Sequence, residues 1–419
     1  MNVFTIILLT AYLVIQAFEY WLQFQNLKHM KRQGMIVPKG FEEHVDAPLL
    51  KKTNAYTIEQ NTLGFIESLF GNILLLLFLF GGLLNWYNSW VLSLDLSFVL
   101  TGTVFFLLLM YAGTALSIPF SLYSTFKIEN KYGFNTMTIK LWIKDLIKST
   151  LLSTVLVSII LGGAFWLITA SPSFWWLYVW IFFFLFSIFM MYLSPYVIEP
   201  LFNKFSPIEE SELEEAIRNL MKKVDITVKR IFKIDASKRS RHTNAYFTGI
   251  GKTKRIVLYD TLMERMSKNE ILAVLAHEVG HWKRKHIFKR IILFELLSLM
   301  AAFIAFNILQ SDFLADIFLI KETTLFSKLV ILSFIFSIIA APFSPLFSYL
   351  SRRHENEADQ YAVDLTEDPE SLAASLIKLS RDNLSNLHPY PLYAVFHYSH
   401  PPVVERVRKI RGISKDRQR

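Results

Sequence analysis

Hydrophobic positions in this chain gather into runs near Val3–Leu22, Leu63–Leu84, Ser97–Pro119, Leu146–Thr169, Phe174–Leu193, Ile291–Leu309 and Leu329–Leu350. Each is long enough to cross roughly 30 Å of hydrocarbon as a helix, so the pattern predicts about seven membrane spans. The first run has no basic residue ahead of it, and the chain continues "EYWLQFQNLKHMKR" without a small-residue cleavage site. It therefore reads as a helix, not a secretory leader. Two acids fall inside runs, Glu67 in the second and Glu295 in the sixth. Charge in lipid is costly, so both should face other helices or water. Hydration in a chamber and hydrogen bonding inside a tight bundle satisfy them equally well.

The polar stretches between the runs alternate in charge. Lys28, Lys31 and Arg32 follow the first run, and "NWYNSWVLSLD" after the second has neither Lys nor Arg. Lys127, Lys131, Lys140 and Lys144 follow the third, "ASPS" after the fourth has no cation, and a long basic segment follows the fifth. By the positive-inside rule the first span runs outside to inside, with residues 199–287 and the C-terminal tail on the cytoplasmic side. Lys321 in "QSDFLADIFLIKE" is a mild exception.

Residues 199–287 open with an amphipathic helix, "SPIEESELEEAIRNLMKKVDI". Runs rich in β-branched and aromatic residues follow at "ITVKRIFKID", "TNAYFTGI" and "KRIVLYD", which predict a small sheet. Residues 351–419 read as largely helical. The sixth and seventh spans separate these two polar regions, so the two are expected to fold back into one domain. The fold class is mostly α and integral-membrane, with about seven transmembrane helices and a cytoplasmic α+β domain. Its parts are residues 1–198 (five spans), 199–287, 288–350 (two spans) and 351–419.

Composition agrees with the pattern: 53% of the 419 residues are hydrophobic and 15% aromatic, too apolar for a soluble domain. The net charge of +9 sits between the apolar runs, so it reports topology and not a nucleic-acid partner. With no cysteine in the chain, disulfides, thiolate metal sites and a cysteine nucleophile are excluded. Any metal must be held by histidine and carboxylate.

The chemistry concentrates at "AHEVGHWKRKH", residues 276–286. On a helix His277 and His281 share a face, where two imidazole nitrogens can meet one zinc ion about 2 Å away. Glu278, one position on, can reach a metal-activated water as general base. The apolar periodicity of "NEILAVLA" and Ser267 in N-cap position supply the helical context the motif needs. A catalytic zinc takes three protein ligands and leaves one position open. The third is expected from "SRRHENEADQYAVDL", just after the seventh span. The sixth span leaves from the histidine helix, so an antiparallel return brings Glu355 to the site and Asp359, one turn on, to the free N–H of a ligand histidine. The competing reading of each segment is a charged surface helix. The histidines His286, His354 and His397 are not expected to bind the metal.

Together with "NAYFTGIGKTKRIVLYDTL", "KIENKYGFNTMT" and "HPPVVER", these segments resemble the CAAX prenyl protease 1 family of membrane zinc endopeptidases over nearly the whole chain. The resemblance implies helices enclosing a large water-filled chamber capped by the zinc domain. It also implies a glutamate third ligand, and cleavage near the C-terminus of prenylated proteins held in the bilayer of the endoplasmic reticulum or a bacterial inner membrane. It further implies that Asn244, His400 and Arg406 contact substrate backbone or the oxyanion. From the residues alone, "NAYFTG" is either an ordinary strand or an edge strand that binds extended peptide. "HPPVVERVRKI" is explained equally by Pro401 and Pro402 starting a basic helix. Alternatives to CAAX processing are clearance of misfolded membrane proteins, a zinc-regulated transporter and a zinc scaffold. Against the transporter stand the missing inverted repeat and the motif's place outside the spans; against the scaffold stands Glu278.

Overall fold

The apolar runs become helices because a lipid-embedded backbone must satisfy its own hydrogen bonds. The computed structural model describes residues 3–208, 212–248, 253–311, 314 and 323–417. Among these, seven helices are long and apolar enough to cross a membrane: Val3–Gln33, Ala47–Phe80, Phe98–Tyr132, Ile139–Ala170, Trp175–Phe202, His286–Leu309 and Leu325–Thr366. Most outrun their apolar stretches. The second starts at Ala47, where Asp46 Oδ1 accepts the Leu49 N–H at 2.8 Å and Pro48 opens the first turn. The polar residues 47–62 therefore continue the helix beyond the hydrocarbon.

The spans form a ring. Close packing runs from first to second, and so on in chain order to the seventh, which returns to the first. Seven axes about 10 Å apart on a closed ring lie about 11 Å from its centre, and a helix radius of about 5 Å leaves an opening about 6 Å in radius. At most 17% of any span's apolar window is buried by the rest of the protein, so the spans pack sparsely against one another. Glu67 is exposed and Glu295 only partly covered, so neither has the enclosed setting that buried bundle hydrogen bonds would give.

One end of the ring is plugged by an apolar cluster that includes Leu84, Tyr87 and Val91 with Phe105, Phe165, Phe326 and Phe334. The stretch "NWYNSWVLSLD", expected to be a loop, supplies part of this plug as a helix, Leu83–Leu92. Its buried residues Leu84, Tyr87, Asn88 and Val91 recur at helical spacing, a stripe hidden within a sequence short of charge. Lys321 lies outside the described residues.

The soluble domain caps the other end. Its sheet has strand order β1-β2-β4-β3, with β1 Phe205–Pro207, β2 Thr227–Ile234, β3 Ala245–Thr248 and β4 Thr253–Tyr259. β2 and β4 pair in parallel and the outer strands antiparallel, so β3 is an edge. One core joins Ile217, Ile256, Leu258, Ile271 and Val279 to Ala362, Leu372, Ile377 and Ile410, with Phe41, Val45 and Leu50 from the segment after the first span. Asn135, after the third span, bridges to Ser240. All three cation-bearing stretches therefore meet on one side of the ring.

The seventh span carries the chain from plug to cap. Its helix Leu325–Ala340 passes through a tight turn at Ala341–Phe343, containing Pro342, into a second helix, Ser344–Thr366. Proline removes a backbone donor there and bends the span. The second helix leaves the membrane with Glu355 and Asp359 on its buried face.

Candidate active site

The histidine helix, Lys268–Lys283, is locked at its start by a reciprocal cap: Ser267 N donates to Glu270 Oε2 at 2.8 Å and Glu270 N to Ser267 Oγ at 3.4 Å. Lys378 Nζ reaches Glu270 Oε1 at 2.7 Å and ties this end to the helix Pro369–Asp382. At its other end Gly280 lies against the carboxylate helix Ser344–Thr366. A Cβ there would stand 2.9 Å from Ala358 Cα and 3.0 Å from Ala358 O, so the two backbones touch where only glycine fits.

That approach brings His277, His281 and Glu355 together. His277 Nε2 and His281 Nε2 are 3.2 Å apart, and they lie 3.4 Å and 3.2 Å from Glu355 Oε2 and Oε1. A tetrahedron with corners about 2 Å from its centre has edges of about 3.3 Å, the spacing zinc imposes on nitrogen and oxygen ligands. Glu355 Oε2 is buried and accepts no well-directed hydrogen bond, although His400 Nδ1 stands 2.8 Å away. A buried carboxylate oxygen without a proper partner, facing two imidazole nitrogens, fits a divalent cation.

Each histidine is oriented from behind. His277 Nδ1 is 2.8 Å from Asp359 Oδ1, and Arg406 grips Asp359 with two hydrogen bonds of 2.8 and 2.6 Å. Asp359 and Arg406 are both buried. Arg406 thus spends two donors on Asp359, and its Nη1 is 3.6 Å from Glu355 Oε2. Burial pushes the His277 pKa down, but the hydrogen bonds to Asp359 and Glu355 outweigh it and hold the imidazole at about 9. His281 Nδ1 faces His286 Nδ1 at 3.1 Å.

Glu278, Asn244, His400 and Arg406 line one cavity of about 140 Å³ with His277 and Glu355. Burial raises the Glu278 pKa, making its carboxylate a stronger base. A second cavity of about 730 Å³ shares Asn244, His400 and Arg406 and reaches Asn26 and Asn61 of the first two spans. The site thus opens toward the mouth of the ring. Asn244 stands at the head of edge strand β3, with its Oδ1 accepting from Ala245 N at 2.8 Å. His400 is 62% exposed, free to meet a ligand in the cavity.

Of the remaining histidines, His354 stacks on His286 with ring centroids 4.1 Å apart, and His397 pairs with Glu19 at 3.1 Å. Sequence reasoning named His286 only as a residue not expected to bind the metal; its burial at 1% exposure and its contacts with His281 and Glu357 were not foreseen. His286 lies five positions after His281 across a helix break, a spacing without a regular signature.

Residues 26–204 match the family model described as CAAX prenyl protease N-terminal, five membrane helices, and residues 207–414 match peptidase family M48. The chain is 34% identical to a CAAX prenyl protease 1 homolog of Arabidopsis thaliana over 418 residues, 96% of each chain. It is 38% identical to CAAX prenyl protease 1 of Saccharomyces cerevisiae over 331 residues, 74% of this chain and 72% of that one. The crystal structure of S. mikatae Ste24p superposes with TM-score 0.89 at 31% identity, covering 98% of this chain and 99% of that chain.

Proposed function

Because this chain belongs to the CAAX prenyl protease 1 family of M48 peptidases, and is therefore a multi-pass membrane metalloprotease, we propose that it uses zinc to cleave prenylated peptides near their C-termini. The observation that carries this reading is the set of three ligand atoms at tetrahedral spacing with Glu278 beside them, lining one cavity with His277 and Glu355. His277, His281 and Glu355 would hold the ion. When bound, zinc supplies Lewis acidity toward a carbonyl and lowers the pKa of water toward neutrality.

Glu278 takes the proton of the attacking water and later delivers it to the leaving amine, a reversal suited to a carboxylate whose pKa burial has raised. Asp359 keeps the proton of His277 on Nδ1, which would leave the Nε2 lone pair free to hold the ion. Edge strand β3 has one unpaired side on which an extended peptide can add as a further strand, with Asn244 at its head. His400 and Arg406 provide hydrogen-bond donors toward the oxyanion, Arg406 with its remaining donor edge. The ring keeps a lipid-modified tail near the bilayer while the scissile bond reaches water. Lysine and arginine on the capped side favour a cytoplasmic domain, here assigned to residues 199–287 and 351–419 beside spans in 1–198 and 288–350.

Metal analysis of detergent-purified protein, with cleavage of a farnesylated peptide and its unmodified twin, tests the reading. We expect one zinc per chain and faster cleavage of the farnesylated peptide. Equal cleavage of both would point to general clearance of membrane proteins, and no cleavage of either would overturn the function.

A further inference from the structure

We propose that His286 is a positioning residue that fixes the tautomer and orientation of ligand His281 through an imidazole–imidazole hydrogen bond anchored on Glu357. This rests on the metalloprotease reading above. For Nε2 of His281 to present a lone pair to a metal, the ring proton must sit on Nδ1, and that N–H needs an acceptor. Asp359 serves His277 in this way, but Glu355 meets His281 only at Nε2, and among the described residues no carboxylate stands within hydrogen-bond distance of its Nδ1.

Glu357 lies two positions from Glu355, about 200° around the helix, so it cannot turn to the same side. His286 closes the gap. Its Nδ1 lies 3.1 Å from His281 Nδ1, and its Nε2 lies 3.1 Å from Glu357 Oε2. One arrangement satisfies both contacts with neutral rings: His281 donates from Nδ1, and His286 accepts there and donates from Nε2 to the carboxylate. Arg353 Nε in turn donates to Glu357 Oε1 at 3.0 Å.

The ring has no freedom to choose otherwise. His286 is 1% exposed and stacks on His354 at 4.1 Å with 11° between the planes. Lys285, with φ of 56°, takes the left-handed backbone that ends the histidine helix and turns His286 back toward His281. Both ligand histidines thus end in a carboxylate–arginine pair, Asp359 with Arg406 and Glu357 with Arg353. The second arm is one ring longer. Glu278, Glu355 and Asp359 already place three carboxylates at the site, and the interposed imidazole orients His281 while keeping a fourth a ring's width away.

The test is zinc affinity of the full-length protein in detergent, stripped of metal and titrated against a chromophoric chelator. H286L removes acceptor and donor at similar volume and is expected to weaken zinc binding by about 10- to 100-fold. In H286Q the amide oxygen can accept from His281 and the NH₂ can donate to Glu357, so affinity should return close to wild type. Melting of each metal-free variant is followed in parallel. If H286L does not fold, E357L replaces it, since that side chain is 31% exposed and tolerates substitution; it too should weaken binding. Wild-type affinity in H286L, or in E357L where that replaces it, would overturn the proposal. Equal weakening in H286L and H286Q would also overturn it, because packing alone would then explain the effect. Wild-type protein that binds no zinc would instead sink the metalloprotease reading itself.

Discussion

Glu278 follows His277 directly in the chain, yet its side chain is not among the three that converge at ligand distance. Adjacent helix positions point about 100° apart, which separates a base from a ligand without further design. E278Q keeps the shape and removes the basicity, so it is expected to hold zinc at wild-type stoichiometry while its cleavage rate falls by about 10² to 10⁴. A variant that cleaves at the wild-type rate would refute the base. His277 makes a prediction about pH. With its folded pKa at about 9, the metal-free imidazole is protonated at neutrality, and a metal must displace that proton. Apparent zinc affinity should therefore rise about tenfold or more per pH unit from pH 6 to 8, levelling as pH approaches 9. In the metal-free protein the sign is opposite: the folded pKa exceeds the unfolded one, so this stabilisation is full below about pH 6.5 and is lost as pH rises through about 9. Chelator competition and melting curves across that window check both, and flat zinc affinity between pH 6 and 8 would exclude the assignment.

The histidine helix and the carboxylate helix contribute all three proposed ligands, so their separation sets the site. Gly280 determines it. Alanine would be the better helix former by about 1 kcal/mol, but its methyl would press on the Ala358 backbone, which cannot rotate away. Overpacking of this kind costs about 1–3 kcal/mol, so packing wins. G280A should melt at lower temperature and bind zinc more weakly; a variant that melts higher and binds normally would show that the helices have room. Regular spacing makes parts of these elements readable in sequence, as with His277 and His281 four apart, or Ser267 three before Glu270. The partner of Arg406 was not readable in this way. The family resemblance implied a substrate contact for that side chain, and the fold gives two of its five donors to Asp359, 47 residues away along the chain.

At the scale of the whole molecule, the ring, its plug and its cap imply a fixed sidedness. Single cysteines in this cysteine-free chain can be labelled from each side of a sealed vesicle. Lys39→Cys and Lys204→Cys, on the capped side, should react from one face, and Asp95→Cys and Ser173→Cys from the other. Cytoplasmic accessibility of the first pair would support the charge-based orientation; accessibility of all four from one face would contradict the seven-span ring.

The sequence by itself determined the number of spans, because burying an unpaired backbone in lipid is so costly that a long apolar run has only one solution. It also determined the presence of a small sheet and the histidine pair on one helix face, since both follow from local periodicity. Only the tertiary structure decided that the spans close into a ring. Lipid and neighbouring helices are equally apolar, so hydrophobic patterning in a span carries no inward direction. The same holds for the chain His281, His286, Glu357: its contacts join residues across a helix break and between two helices, where no period in the sequence connects them.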